Sequence, residues 1–216
     1  MKIAAVVWNS HAGALARAAR QVDEADLALY PSKTLEENPE RCAEAVEAMR
    51  QADLVFLYRS TEAFWESLEE DIRAVGKSKP VVCLSYDPSA WALSSVSPEI
   101  LETANRYLTY GGADNVADML RYLGRELAGE DMECEPPRKS PWEGLHHPDA
   151  DRACFADVRE YLAWDEARRE ASAADQPVVG LLMARHFWVN QGTFVEDALV
   201  RELEGRGFRV LPAFSN

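Results

Sequence analysis

Four side chains near the carboxyl end of the sequence carry the densest chemistry: Arg185-His186-Phe187-Trp188. They follow an apolar run, Val178 to Ala184, and precede an amphipathic segment, Phe194 to Glu204. A turn between a parallel strand's carboxyl end and a helix's amino end is where an open α/β sheet binds anions, through free backbone N–H groups and the helix dipole. A cation, an imidazole and two aromatics at that point suit a flat, carboxylate-bearing ligand, or pack the loop onto its neighbours. A second group, Cys134, His146, His147 and Cys154, contains metal-binding residue types, but the spacing C-x11-H-H-x6-C is not a zinc pattern. A hydrogen-bonding role is the expectation there, and no metal site is assigned.

Two further positions sit at strand ends in the first half. Asn9-Ser10-His11-Ala12-Gly13 lacks both G-x-G-x-x-G and G-K-[ST], which excludes a dinucleotide fingerprint and a phosphate loop. The stretch is similar to the D-x-H-x-x-G of cobalamin-binding domains, but Asn9 replaces the carboxylate that would orient the imidazole. His11 is therefore expected to serve as a helix-start or surface residue. Arg59, after the third apolar run, could meet a ligand anion or pair with a neighbouring acid.

The elements that hold these residues follow from periodicity. Apolar runs at Ile3–Trp8, Leu27–Tyr30, Leu54–Tyr58 and Pro80–Tyr86 alternate with helical patterns at Ala14–Val22, Pro39–Arg50, Glu62–Val75 and Pro98–Leu108. Asn38 and Ser97 are placed as amino-terminal caps, each before a first-turn proline. Tyr110-Gly111-Gly112 interrupts, and Asp114–Leu127 resumes as a helix. The alternation predicts an α/β fold with a doubly wound, flavodoxin-like parallel sheet over residues 1–128. Residues 129–176 are expected to be a proline-rich connector followed by a helix, Phe155–Ala171, burying Val158, Tyr161, Leu162 and Trp164. Residues 177–216 begin a second α/β module, which looks truncated because the chain stops at Asn216 where a ligand-facing loop is due.

Composition narrows the partners. With 23 Lys and Arg against 37 Asp and Glu, the net charge is −14, which argues against nucleic acid and anionic membrane surfaces. No apolar run approaches the roughly 20 residues that span a bilayer. Four scattered cysteines without a C-x-x-C pair suggest free thiols in a reducing, cytoplasmic setting.

Three segments, in order along the chain, resemble the large subunits of cobaltochelatase and magnesium chelatase. They are Tyr110-Gly111-Gly112-Ala113-Asp114-Asn115 with Leu120-Arg121-Tyr122-Leu123, then Pro141-Trp142-Glu143-Gly144-Leu145-His146-His147-Pro148-Asp149-Ala150 with Tyr161-Leu162-Ala163-Trp164, then Val179-Gly180-Leu181 through Gly207. The resemblance implies an amino-terminal fragment of a subunit that binds a tetrapyrrole and accepts a divalent metal, with ATP hydrolysed on AAA-type partner subunits. Asp149-Ala150 after His147-Pro148 leans toward the cobalt type, in corrin and cobalamin biosynthesis, over magnesium. On this reading Arg185, His186, Trp188 and His147 face the tetrapyrrole, Arg185 gripping a ligand carboxylate; the metal-inserting residues are not assigned, and the fragment alone is inactive. The alternative is a non-catalytic flavodoxin-like module that binds cobalamin or docks a partner. Two strands and one helix cannot close a sheet alone, so the last module must extend the first sheet, dock on it, or pair with a second copy. Hydrogen exchange is therefore expected to show weaker protection in residues 177–216 than in 1–128, and the strongest protection falling there would overturn the truncated-module reading.

Overall fold

The computed structural model describes residues 1–169 and 176–216 and divides into two compact units, Met1–Lys139 and Ser140–Asn216. The expected end of the connector helix at Ala171 lies outside the described residues.

The first unit is the predicted parallel sheet. Strands β1 (Lys2–Val7), β2 (Asp26–Pro31), β3 (Leu54–Arg59) and β4 (Val81–Ser85) lie in the order β2-β1-β3-β4, all parallel. β1, β3 and β4 are largely apolar because both faces are covered, as parallel strands require. Alternate residues serve opposite layers. Ile3, Ala5, Val7, Phe56 and Leu84 meet helices α1 (Asn9–Ala19), α5 (Pro98–Tyr110) and α6 (Ala113–Leu123). Ala4, Val6, Val55, Leu57 and Cys83 meet α2 (Ser32–Glu37), α3 (Arg41–Gln51) and α4 (Phe64–Val75). Cys83 is a buried free thiol, and burial pushes its pKa up to about 12.

Local chemistry sets several boundaries away from their expected positions. α1 begins at Asn9, not Ala14, so His11 lies in its first turn. Asn38 does not cap α3; its side chain donates to the Thr34 carbonyl and closes α2, a short helix that periodicity does not predict. A 3-10 turn, Pro88–Leu93, follows β4, started by the Asp87 carboxylate accepting from the Ser89 N–H.

The proline-rich stretch after α6 is ordered by the residues of the Tyr-Gly-Gly segment. Gly111 and Gly112 take φ of 70° and 88°, a region hostile to other residues, and so turn α5 into α6. That turn places Asn115, whose amide donates to the Gly111 and Arg138 carbonyls at 2.8 Å each while its oxygen accepts the Arg138 N–H at 2.9 Å. The Tyr107 hydroxyl donates to the Glu135 carbonyl, and Asp118 pairs with Arg121 and Arg138. Met132 inserts into the core. The Asn115 amide and the Tyr107 hydroxyl thus supply the Arg138 and Glu135 backbone groups with partners.

The second unit carries a three-stranded sheet, β5-β7-β6, from β5 (Gly144–Leu145), β6 (Val178–Ala184) and β7 (Arg209–Ser215). β6 and β7 run parallel as expected, joined through α8 (Arg185–Val189) and α9 (Phe194–Gly205). The structure adds two details. The connector contributes a two-residue edge strand: β5 pairs antiparallel with β7, because Gly144 admits the Phe214 ring where a Cβ would lie 2.8 Å from Cζ. The 185–192 loop contains a helical turn, α8. On α7 (Val158–Arg168), Tyr161 is buried as expected but Val158 is exposed; the inward position goes to Asp165.

Replacing Asn115 by Ala should lower the stability of the first unit by about 1–3 kcal/mol, since it removes three hydrogen bonds, one of them to the carbonyl of buried Gly111. Chemical denaturation measures the loss, and limited proteolysis should show residues 129–139 newly susceptible.

Candidate functional site

His147 is the centre of the second unit's polar chemistry. Its ring is buried against Trp164 and Tyr161, with centroids 4.9 and 6.3 Å away. The Asp149 N–H donates to Nδ1 at 3.1 Å, a turn closed by the intervening Pro148. Nε2 faces Glu204 Oε1 at 3.3 Å. The Arg168 guanidinium lies 3.0 Å from the same nitrogen and also bonds Glu204. Burial, then the Arg168 charge, lowers the His147 pKa, with Glu204 opposing.

Behind this ring is a fully buried carboxylate. Asp165 accepts from Arg169 Nε at 2.8 Å and Arg168 Nε at 3.0 Å on one oxygen, and from Arg209 Nε at 2.8 Å on the other. Burial alone would raise its pKa; the guanidiniums of Arg169, Arg168 and Arg209 outweigh that and hold it low. Arg169 Nη2 reaches on to Glu204 at 2.5 Å. The knot joins α7 to β7 through Arg209 and to α9 through Glu204.

His147, Asp149 and Glu204 bring one ligand atom each within 4.8 Å of one another, the spacing of a metal site. The chemistry runs the other way. Arg168 and Arg169 already bond Glu204 and supply the positive charge a divalent ion would bring. Among the described residues, neither Cys134 nor Cys154 joins the group; Cys134 belongs to the first unit.

The four residues expected to face a ligand fall into two kinds of environment. Arg185 is 4% exposed; its Nε donates to the Pro141 carbonyl at 2.7 Å and its guanidinium lies 4.5 Å over the Trp142 ring. It holds the Pro-Trp-Glu-Gly segment, so its fork meets carbonyls of the chain at the place expected for a ligand carboxylate. His147 is equally enclosed. His186 and Trp188 are half-buried. Burial lowers the His186 pKa, and its ring centroid lies 4.0 Å from that of Phe187, which is exposed. Trp188 stacks on Phe214 at 4.0 Å and donates its N–H to the Ala153 carbonyl at 3.0 Å. The adjacent His146 pairs with Asp197 of α9 at 3.0 Å. Arg59, in the first unit, pairs with Glu69 at 3.5 Å.

Sequence reasoning missed Asp165, Arg168, Arg169, Arg209 and Glu204. Asp165 follows Trp164 and sits four positions after Tyr161, so it shares their inward stripe, and that spacing was the available signal.

The fold is thus α/β, with a second unit organised around a Gly-Leu-His-His-Pro turn. The CobN/Magnesium Chelatase family model matches residues 105–216, more than half of the chain. The chain belongs to the CobN/magnesium chelatase family. Among its relatives, an uncharacterised protein of Methanocaldococcus jannaschii is 26% identical over 216 residues, all of this chain and 15% of that protein. A magnesium-chelatase subunit of Rhodobacter capsulatus is 32% identical over 114 residues, 51% of this chain and 9% of that one. The catalytic subunit of cobaltochelatase from Mycobacterium tuberculosis shares the fold with a TM-score of 0.57 at 19% identity, covering 99% of this chain and 16% of that one. This chain therefore spans about a sixth or less of the length of these proteins.

Because the folded ring of His147 has a lowered pKa, its contribution to stability is complete above the ordinary value near 6.5 and is lost as pH falls below it toward the folded value. Thermal melting followed from pH 8 down to about 5 should show the second unit weakening over that window. His147→Gln should flatten that part of the profile; an unchanged slope would assign it elsewhere.

Proposed function

We propose that this chain forms part of the tetrapyrrole-binding large subunit of an ATP-dependent metal chelatase, one that inserts cobalt into a corrin precursor in cobalamin biosynthesis. The observation that carries the reading is the family match over residues 105–216, which takes in the whole second unit. Asp149-Ala150 after His147-Pro148 favours cobalt over magnesium as the substrate metal. ATP is hydrolysed on AAA-type partner subunits.

Within that subunit the surface around His186, Phe187 and Trp188 faces the macrocycle, with Arg185 and His147 positioning it from behind. Imidazole and indole edges suit a flat ring, and His186, kept neutral by burial, can accept a ring N–H proton. Arg185 fixes the segment 140–142, and His147 fixes the turn leading to α7.

The second unit further belongs to a larger α/β module. β6 carries no charge, proline or bulge along its free edge, and its outward residues Val178 and Leu182 are 57% and 76% exposed. Natural edge strands usually carry such deterrents to pairing, and parallel strands are covered on both faces. β6 is built as an interior strand.

Titration of the native polypeptide with its tetrapyrrole, followed by tryptophan fluorescence, tests the reading. A His186→Ala, Phe187→Ala double variant should bind about tenfold or more weakly, corresponding to about 1.4 kcal/mol or more. Unchanged affinity with the fold intact would remove this surface from the site, and magnesium insertion without cobalt insertion would overturn the choice of metal.

A further inference from the structure

The outer edge of β6 is complementary to itself. The Arg209 N–H donates to the Pro177 carbonyl at 2.9 Å, with Val178 level with Arg209 in the parallel register. Backbone groups alternate in direction along a strand, so Val179, Leu181 and Met183 turn theirs to β7. Val178, Gly180, Leu182 and Ala184 turn their N–H and C=O groups the other way, and in the order β5-β7-β6 that side is the outer one. All of these outward residues are exposed. Their side chains share a face with Arg209, Leu211 and Ala213. On that face α7 covers β7, where Arg209 bonds Asp165 and Leu211 packs on the Tyr161 cluster, while Val178 and Leu182 stay 57% and 76% exposed.

A strand so placed needs a neighbour, and two features say which. The first is charge. At a net charge of −14, two copies of this chain repel wherever their acidic surfaces meet. The run from Pro177 to Ala184 carries no charged side chain, so two copies can meet here without placing acid against acid. The second is shape. A two-fold axis beside Leu181 sets β6 antiparallel to β6 of a second copy. Val178 then lies opposite Ala184, Gly180 opposite Leu182, and Leu181 opposite its own counterpart. The outward N–H and C=O groups of one copy meet those of the other, and large side chains fall opposite small ones. Leu182 comes against Gly180, where a Cβ would meet nothing within 4 Å. A register displaced by one residue would set outward groups against groups already bonded to β7.

We propose that β6 pairs antiparallel with β6 of a second copy, joining two second units into one continuous sheet of order β5-β7-β6-β6-β7-β5. The inference rests on the interior character of β6 and not on the choice of metal or tetrapyrrole, and it uses neither His186 nor Phe187.

Sedimentation equilibrium of the 216-residue chain over a dilution series tests it, and should give a reversible dimer of twice the 24.2 kDa single-chain mass. Leu182→Lys places two ammonium groups on neighbouring positions across the axis and should weaken the dimer about tenfold or more. Leu182 is exposed, so circular dichroism of that variant should match the parent. Register is read with Leu181→Cys. Facing residues of a pair without mutual hydrogen bonds have Cα atoms about 4.5 Å apart, within reach of a disulfide. Mild oxidation should therefore link the copies, and peptide mapping should find position 181 joined to position 181, apart from the native Cys42, Cys83, Cys134 and Cys154. A monomer at every concentration, a dimer indifferent to Leu182→Lys, or a dimer that forms no bond between the two 181 positions overturns the proposal. Each of these results leaves the tetrapyrrole titration, and the chelatase reading it tests, untouched.

Discussion

The second unit depends on one buried negative charge. Asp165 has no contact with solvent, and a carboxylate so placed is tolerable only when its charge is met by well-aligned donors. Arg168, Arg169 and Arg209 meet it from two elements, and two of those cations continue to Glu204 on a third. These shared contacts constrain α7, α9 and β7 together. The apolar cluster of Leu145, Phe155 and Tyr161 is small, and the ionic knot supplies orientation that so few side chains cannot.

The residues most recognisable as chelatase-like turn out to be wiring. Gly144 makes room for Phe214, Leu145 exchanges backbone hydrogen bonds with Phe155, His147 closes a turn with Asp149, and the Tyr161 hydroxyl donates to the Val210 carbonyl. Arg185, by type and position the natural ligand grip, holds the Pro141 carbonyl instead. A motif can therefore mark a family through its architecture, its side chains holding the fold together. The same holds in the first unit, where Tyr107, Asn115 and Asp118 of the Tyr-Gly-Gly region fasten an irregular chain to the fold.

The two units contrast in how they treat apolar surface. The first buries its central strands on both faces, with Asp26 and Pro31 at the ends of its edge strand β2. The second leaves Val178 and Leu182 open on β6, and Phe194, Val195 and Leu199 open on α9.

Much of the fold was legible in the residues alone. Alternating apolar runs and amphipathic segments located β1 to β4, β6 and β7 and most helices to within a few residues, because period and burial are local properties of a chain. Three things were decided only by tertiary structure. β5 is two residues long, too short for any periodic signal, and exists because β7 and the Phe155 segment lie within hydrogen-bond reach. Position along the chain marks Asn38 as a helix-end residue, but which helix it serves depends on where a backbone group arrives: it closes α2 and does not cap α3, while Asn9 accepts from the Lys33 N–H at the start of α2. The roles of Arg185 and Asp165 were hidden for the same reason. A charged side chain's partner is set by which carbonyls and guanidiniums the fold brings to it, and those here lie from three to forty-four positions away in the sequence. Periodicity fixes which face a residue occupies; only the folded chain fixes what that face meets.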